Sequence, residues 1–227
     1  MKFERVQEKG QFLGFRLQHK HVLFFFGSRH LNRDGLYDLH PECEFTFIKQ
    51  VHGAKVVEAS PATGIEADAQ FSRQVTRAPV VVTADCAPVL LASKSQVCAI
   101  HAGWRSAAQG ILKNCAPLFK DDPVLYAAIG PHIGSKSFEV GKDVAAQLTA
   151  SLPLSARESR LEMPHPQSDK TFYDLNLLLH KQLRTFFGDK IEIFDCSLDT
   201  KTEPDFCSYR RDGPQAGRQF SFVVINS

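Results

Sequence analysis

The chain has 227 residues, 43% hydrophobic and 23% charged, an ordinary balance for a soluble globular protein. Its 27 basic and 25 acidic residues leave a formal charge of +2, and the densest basic cluster is only Arg210-Arg211. A nucleic-acid-binding role is therefore disfavoured, a small anionic substrate stays open, and no apolar run approaches the ~20 residues that a membrane-spanning helix needs.

The N-terminus, MKFERVQEKGQF, is charged throughout and has no apolar core of signal-peptide length. Cys43, Cys86, Cys98, Cys115, Cys196 and Cys207 contain no CxxC pair, so they read as reduced thiols. The expectation is a cytoplasmic protein forming one domain over 1–227, with no membrane and no nucleic-acid partner. Oligomeric state is not legible.

In chain order, short runs rich in Val, Ile and Phe predict strands at 22–27, 44–49, 55–58, 80–83, 89–92 and 97–101. Next comes a helical stripe of Trp104, Ala107, Ala108, Ile111, Leu112 and Cys115, which reads Trp104 as core. A strand at 124–129 and a helix from Lys142 to about Leu152 follow. The proline- and charge-rich stretch 151–168 reads as a surface loop. A helix carrying Leu175, Leu178, Leu179, Leu183, Phe186 and Phe187 on one face comes next, with Asp174 as its N-cap and Gly188 as its stop. Strands at 190–194 and 219–225 complete the chain. Many strands with few, separated helices predict an α+β fold with helices covering mixed sheets.

Three strand ends carry metal-ligating chemistry: His52 in Lys49-Gln50-Val51-His52-Gly53, Cys86 after Thr83-Ala84-Asp85, and His101 before Ala102-Gly103-Trp104-Arg105. Two imidazoles and a thiolate suit zinc and leave a fourth coordination position open for water, the pattern of a catalytic site. Separations of 34 and 15 residues are not zinc-finger spacings. A cysteine after a strand also fits a small buried hydrophobe, and a lone histidine a structural hydrogen-bonding residue, so the residues alone leave both readings open.

The ordered set QVHG (50–53), ADA (67–69), TADC (83–86), HAGWR (101–105), IGPHIG (129–134), SYRRDG (208–213) and Gly217-Arg218 resembles one family, from about Phe24 to the C-terminus. That family was first described as laccase-like multicopper polyphenol oxidase. It is now associated with purine nucleoside phosphorylase, adenosine deaminase and methylthioadenosine phosphorylase activities, and its bacterial members are also called peptidoglycan-editing factors. The resemblance implies a four-layer α/β/β/α sandwich with mixed β-sheets, shared with a toxin domain that uses a Cys–His pair. It implies zinc on His52, Cys86 and His101, with purine nucleosides and phosphate as substrates. One departure stands at 27–32, Gly27-Ser28-Arg29-His30-Leu31-Asn32, where family members carry Thr-Arg followed by glycines.

In this reading phosphorolysis needs cationic groups for phosphate, and Arg29, Lys49 and Arg105 are candidates beside Gln50 of the QVHG motif. Arg105 also stands near a helix start, where free N–H groups favour anions. Asp85 can orient a ligand or move a proton only if the chain turns beside Cys86; otherwise it caps a loop. His132 is either a pocket residue or a turn residue, and Arg210 and Arg211 read as structural ion pairs. The HxE…PCxxC deaminase signature is absent, so any deamination uses a different proton shuttle.

The alternatives are a Cys86–His101 or Cys86–His52 hydrolase acting as an amidase on peptidoglycan precursors, a copper polyphenol oxidase, and a non-enzymatic module that keeps zinc for folding. The copper reading is disfavoured because the single HxH, His19-Lys20-His21, lies in the charged N-terminal stretch and is expected at the surface.

Overall fold

A computed structural model describes residues 3–157 and 159–226. The chain runs through β1 (Glu4–Glu8), β2 (Gln11–His19), β3 (Val22–Gly27), α1 (Arg33–Leu39), β4 (Glu44–Phe47), β5 (Val56–Glu58), β6 (Ala69–Ser72) and β7 (Arg77–Thr83). It continues through β8 (Ala87–Ala92), β9 (Val97–Ala102), α2 (Trp104–Ala108), α3 (Ile111–Cys115), β10 (Tyr126–Ile129), β11 (Glu139–Gly141) and α4 (Lys142–Ala150). The last elements are β12 (Glu162–Met163), β13 (Lys170–Tyr173), α5 (Leu175–Phe187), β14 (Glu192–Asp195), α6 (Tyr209–Asp212) and β15 (Gln219–Ile225).

Two six-stranded mixed sheets, ordered β1-β2-β3-β15-β7-β4 and β14-β10-β8-β9-β6-β5, pack face to face. Strand alternation explains the layering. In β3, Val22, Phe24 and Phe26 meet Leu90, Ala99 and Ala128 of the other sheet, while Leu23 and Phe25 point outward to Leu36 of α1. In β9, Val97 and Ala99 face the first sheet, and Cys98, Ile100 and Ala102 face the helices. Helices α2 to α5 cover that outer face through Ala107, Leu112, Leu148 and Leu179. The result is the α/β/β/α sandwich. Strands with a helix or sheet on each side lose the polar alternation of a solvent-facing strand, which is why β3 reads VLFFFG. Between the sheets, the buried Gln70 amide donates to the carbonyls of Thr46 (2.9 Å) and Val80 (2.7 Å), tying one sheet to the other.

The Asp174 carboxylate accepts from Leu177 N at 2.8 Å, and Gly188 ends α5 at φ +93°, as the sequence reads. Two expectations change. The stripe 104–115 is two short helices, because Gly110 takes a left-handed φ of +80° between them. The His19-Lys20-His21 pair, expected at the surface, is partly covered: β1 and β2 form a hairpin, and His19 is buried with its ring 4.4 Å from Tyr126, because β2 lies beside β3. Only part of the HxH pair therefore sits at the surface. The 151–168 stretch includes β12 and is anchored by buried Leu152 and Leu161. Among the described residues no helix is long and apolar enough to cross a membrane.

Candidate active site

The site lies where the chain leaves the sheets at one end of the sandwich. Two connections cross there from the first sheet to the second: 48–55 between β4 and β5, and 84–86 between β7 and β8. The first carries His52 and the second Cys86, and β9 delivers His101 beside them from the second sheet. Both crossings need unusual backbone, with His52 at φ +60° and Asp85 at +83°. Strain of this kind persists only where surrounding contacts impose it.

At His52 those contacts centre on Asp68, fully buried immediately before β6. One carboxylate oxygen accepts from His52 N (2.9 Å) and His101 Nδ1 (2.8 Å). The other accepts from Gly53 N (2.7 Å) and Val51 N (3.3 Å). Burial opposes the charge on Asp68, but the His101 and backbone hydrogen bonds win and hold its pKa below the usual value. One side chain thus shapes the QVHG turn and fixes the His101 ring so that its other nitrogen faces Cys86. Gln50 anchors the turn from the other side: its amide donates to Val82 O and accepts from Val82 N, both at 2.8 Å.

The donor atoms of His52, Cys86 and His101 all lie within 4.8 Å of one another. Zinc bond lengths of ~2.0 Å to nitrogen and ~2.3 Å to sulfur fit such a spread, and the set of two imidazoles and a thiolate suits that ion. A Cβ on Gly103 would stand 2.7 Å from Cys86 Sγ and 3.6 Å from His52 Cδ2, so the HAGW glycine permits the thiol and imidazole to approach. Burial raises the Cys86 thiol, yet hydrogen bonds and charge from His101 and His52 outweigh it and bring it down to about 6. Burial lowers His101, but Asp68 and Cys86 lift it to about 9. The five other cysteines are all free thiols, four of them buried and Cys196 half-buried.

These three residues open into a cleft of about 620 Å³, within the range of small-molecule sites. Its lining includes Gln50, Thr83, Asp85, Trp104, Arg105, Tyr209, Arg210 and Arg218. The sequence-derived candidates separate here. Arg105 lies in the cleft with its guanidinium 4.5 Å from the Trp104 ring, although α2 is too short to add a helix field. Trp104 is a cleft wall as well as core. Asp85 reaches the cleft because the chain does turn, but its oxygens accept from Thr200 Oγ1 (2.7 Å) and Arg210 N (2.6 Å). Gln50 lines the cleft with its amide committed to Val82.

Lys49 is outside the lining, its ammonium 2.8 Å from Glu66. Arg29 is also outside, donating to Pro204 O at 3.3 Å. His132 is buried, held by Gly130 O at 2.8 Å, and does not line the cleft. Arg211 pairs with Asp212 as expected, whereas Arg210 has no such ion pair among the described residues and faces the cleft. Asp68, Tyr209 and Arg218 were not assigned from sequence. Asp68 had one signal, the polar centre of the otherwise apolar ADA motif.

The chain is similar to curated bacterial proteins. It is 35% identical over 184 residues to Purine nucleoside phosphorylase YfiH of Escherichia coli strain K12, covering 79% of this chain and 73% of that protein. It is 32% identical over 185 residues to Purine nucleoside phosphorylase of Haemophilus influenzae, covering 78% and 72%. The crystal structure of Neisseria meningitidis protein NMB0706 superposes with a TM-score of 0.79 at 26% identity, over 94% of this chain and 99% of that one. That of YlmD from Geobacillus stearothermophilus reaches 0.83 at 21% identity, over 97% and 98%, a likeness of fold. Residues 30–226 match the family described as multi-copper polyphenol oxidoreductase laccase, and the chain belongs to that family.

Proposed function

We propose that this chain is a cytoplasmic, zinc-dependent purine nucleoside phosphorylase that also deaminates adenosine and cleaves methylthioadenosine, acting as one domain over 1–227. The observation that carries the reading is the convergence of His52, Cys86 and His101 within 4.8 Å on a 620 Å³ cleft, in a chain 35% identical to a protein named for that activity. When bound, zinc supplies Lewis acidity beside the substrate. In phosphorolysis phosphate attacks C1′ of the ribose and the purine departs. In deamination water adds at C6 of adenine and ammonia departs. Asp68 holds His101 and the QVHG turn in register, and Arg105 offers positive charge to an incoming anion.

A Cys–His hydrolase is the second reading. The observation favouring it is the chain of contacts Asp68–His101–Cys86, with the thiol lowered to about 6, the order of groups that activates a cysteine nucleophile. One experiment separates the two. Purified protein is incubated with a panel of purine nucleosides, with and without phosphate, alongside metal analysis of the wild type, Cys86→Ala and His52→Ala. Phosphate-dependent base release with stoichiometric zinc, both lost in the variants, is expected. Full turnover by chelated, metal-free protein would overturn the zinc reading, and a copper requirement for phenol oxidation would revive the oxidase.

A further inference from the structure

The cleft holds more positive charge than the proposed chemistry has so far used. Arg105, Arg210 and Arg218 all line it, and among the described residues none of the three guanidiniums has a carboxylate within 4.0 Å. Arg210 donates through both terminal nitrogens to one acceptor, Glu139 O, at 3.1 and 3.2 Å. Arg218 donates through a single nitrogen to Ala216 O (2.9 Å) and Gly217 O (2.8 Å). Each therefore keeps unused N–H groups of a five-donor fork. Arg77 with Glu44 and Arg211 with Asp212 show the paired alternative, although Arg29 and Arg184, outside the cleft, also donate only to backbone carbonyls among the described residues.

A second, independent observation points to the same place. Thr83 ends β7, is 1% exposed and lines the cleft, and among the described residues its hydroxyl has no hydrogen-bond partner. A buried unpaired hydroxyl costs about 1–3 kcal/mol, and the buried Nε2 of Gln219, its cross-strand neighbour, also has no partner among the described residues, so two donors are left unpaired at this strand end. Thr83 is registered opposite Gln219, the residue after Arg218, which brings the orphan hydroxyl and that arginine to the same strand end. Arg210 is fixed there through its backbone N–H on Asp85, the neighbour of Cys86.

We infer that Arg210, Arg218 and the Thr83 hydroxyl form an oxyanion seat beside the His52–Cys86–His101 centre, and that its occupant is inorganic phosphate. Guanidinium forks match the geometry of phosphate oxygens, and the hydroxyl can donate to a third. The identity of the ligand rests on the phosphorylase reading; the seat itself rests on the unpaired donors. It moves phosphate recognition away from Lys49 and Arg29, which lie outside the cleft.

The test titrates inorganic phosphate into zinc-loaded wild type, Arg210→Gln, Arg218→Gln and Thr83→Val, reading heat or the phosphorus resonance. Each arginine variant is expected to weaken phosphate binding about tenfold or more, the loss of one charge-assisted contact. Thr83→Val, which keeps side-chain volume and guards against a folding failure of the others, is expected to weaken it about threefold. Zinc content and thermal unfolding are expected to stay at wild-type values. Absence of phosphate binding by wild type, or binding within about twofold in all three variants, overturns the seat. Displacement of phosphate by adenosine 5′-monophosphate, with adenosine itself leaving it bound, overturns inorganic phosphate as the occupant and makes the seat one for a nucleotide's own phosphate. Nucleoside turnover measured in parallel separates the two claims. Phosphate binding without nucleoside cleavage sinks the phosphorylase and keeps the seat, and cleavage with an unchanged phosphate KM in both arginine variants does the reverse.

Discussion

Replacing Asp68 with asparagine probes the residue on which the site is built. The carboxylate has four donors arranged two to an oxygen: His52 N and His101 Nδ1 on one, Gly53 N and Val51 N on the other. An amide must place its NH2 where one oxygen stood, so in either orientation two donors lose their acceptor and meet another donor. Two such bonds at about 1.5 kcal/mol each give a loss of about 3 kcal/mol. For a chain of this size that lowers Tm by about 6–12 °C, leaving a folded protein if total stability lies near the middle of the usual 5–15 kcal/mol range. Neither orientation spares the candidate metal ligands. One releases His101 Nδ1, and the other releases the turn that presents His52. Zinc affinity is therefore expected to fall about 10–100-fold, the usual consequence of losing a partner behind a ligand. Competition with a chromophoric chelator measures the affinity, and differential scanning calorimetry the stability. Zinc affinity within about threefold of wild type, with Tm shifted by less than about 2 °C, would refute the claim that this carboxylate organises the centre.

Three further predictions follow from the same geometry. Gly103→Ala places a methyl 2.7 Å from Cys86 Sγ and is expected to cost about 1–3 kcal/mol and to lower zinc content; an unchanged urea midpoint with full zinc would contradict the close approach. In metal-free protein the Cys86 thiol is depressed to about 6, so its reactive thiolate grows in as pH rises through about 6, not through the ~8.5 of a free cysteine. Iodoacetamide labelling of metal-free protein is expected to follow that midpoint at Cys86 alone, since burial raises Cys43, Cys98, Cys196 and Cys207 and shields Cys115 from the reagent; a midpoint above about 8 would rule the depressed thiol out. Cys98→Ala and Cys115→Ala each remove a fully buried sulfur packed under the helices and are expected to cost about 1 kcal/mol with zinc retained; zinc loss in either would mean a missed ligand.

What the sequence determined by itself was whatever is local or carried by a chain of fixed order. The apolar run of β3, the Asp174 cap and Gly188 stop of α5, and the grouping of His52, Cys86 and His101 were all legible, because period, capping chemistry and side-chain type are written over a few neighbouring residues. The hairpin of β1 and β2 was not, since its polar residues are carried by pairing with β3 rather than by their own propensity. Gly110 divided one apolar stripe into two helices, a choice periodicity cannot express.

The tertiary structure alone decided which charges meet. Lys49 adjoins Gln50 in sequence but spends its ammonium on Glu66, whereas Arg218 and Tyr209, far along the chain from His52, Cys86 and His101, line the cleft. Asp68 looked like one carboxylate in a short motif until four donors converged on it. The physical reason is the range of the forces involved. Burial patterns are imposed residue by residue along each element, but hydrogen bonds and ion pairs act over about 3–4 Å, so their partners exist only once two sheets and their crossing loops have been brought together.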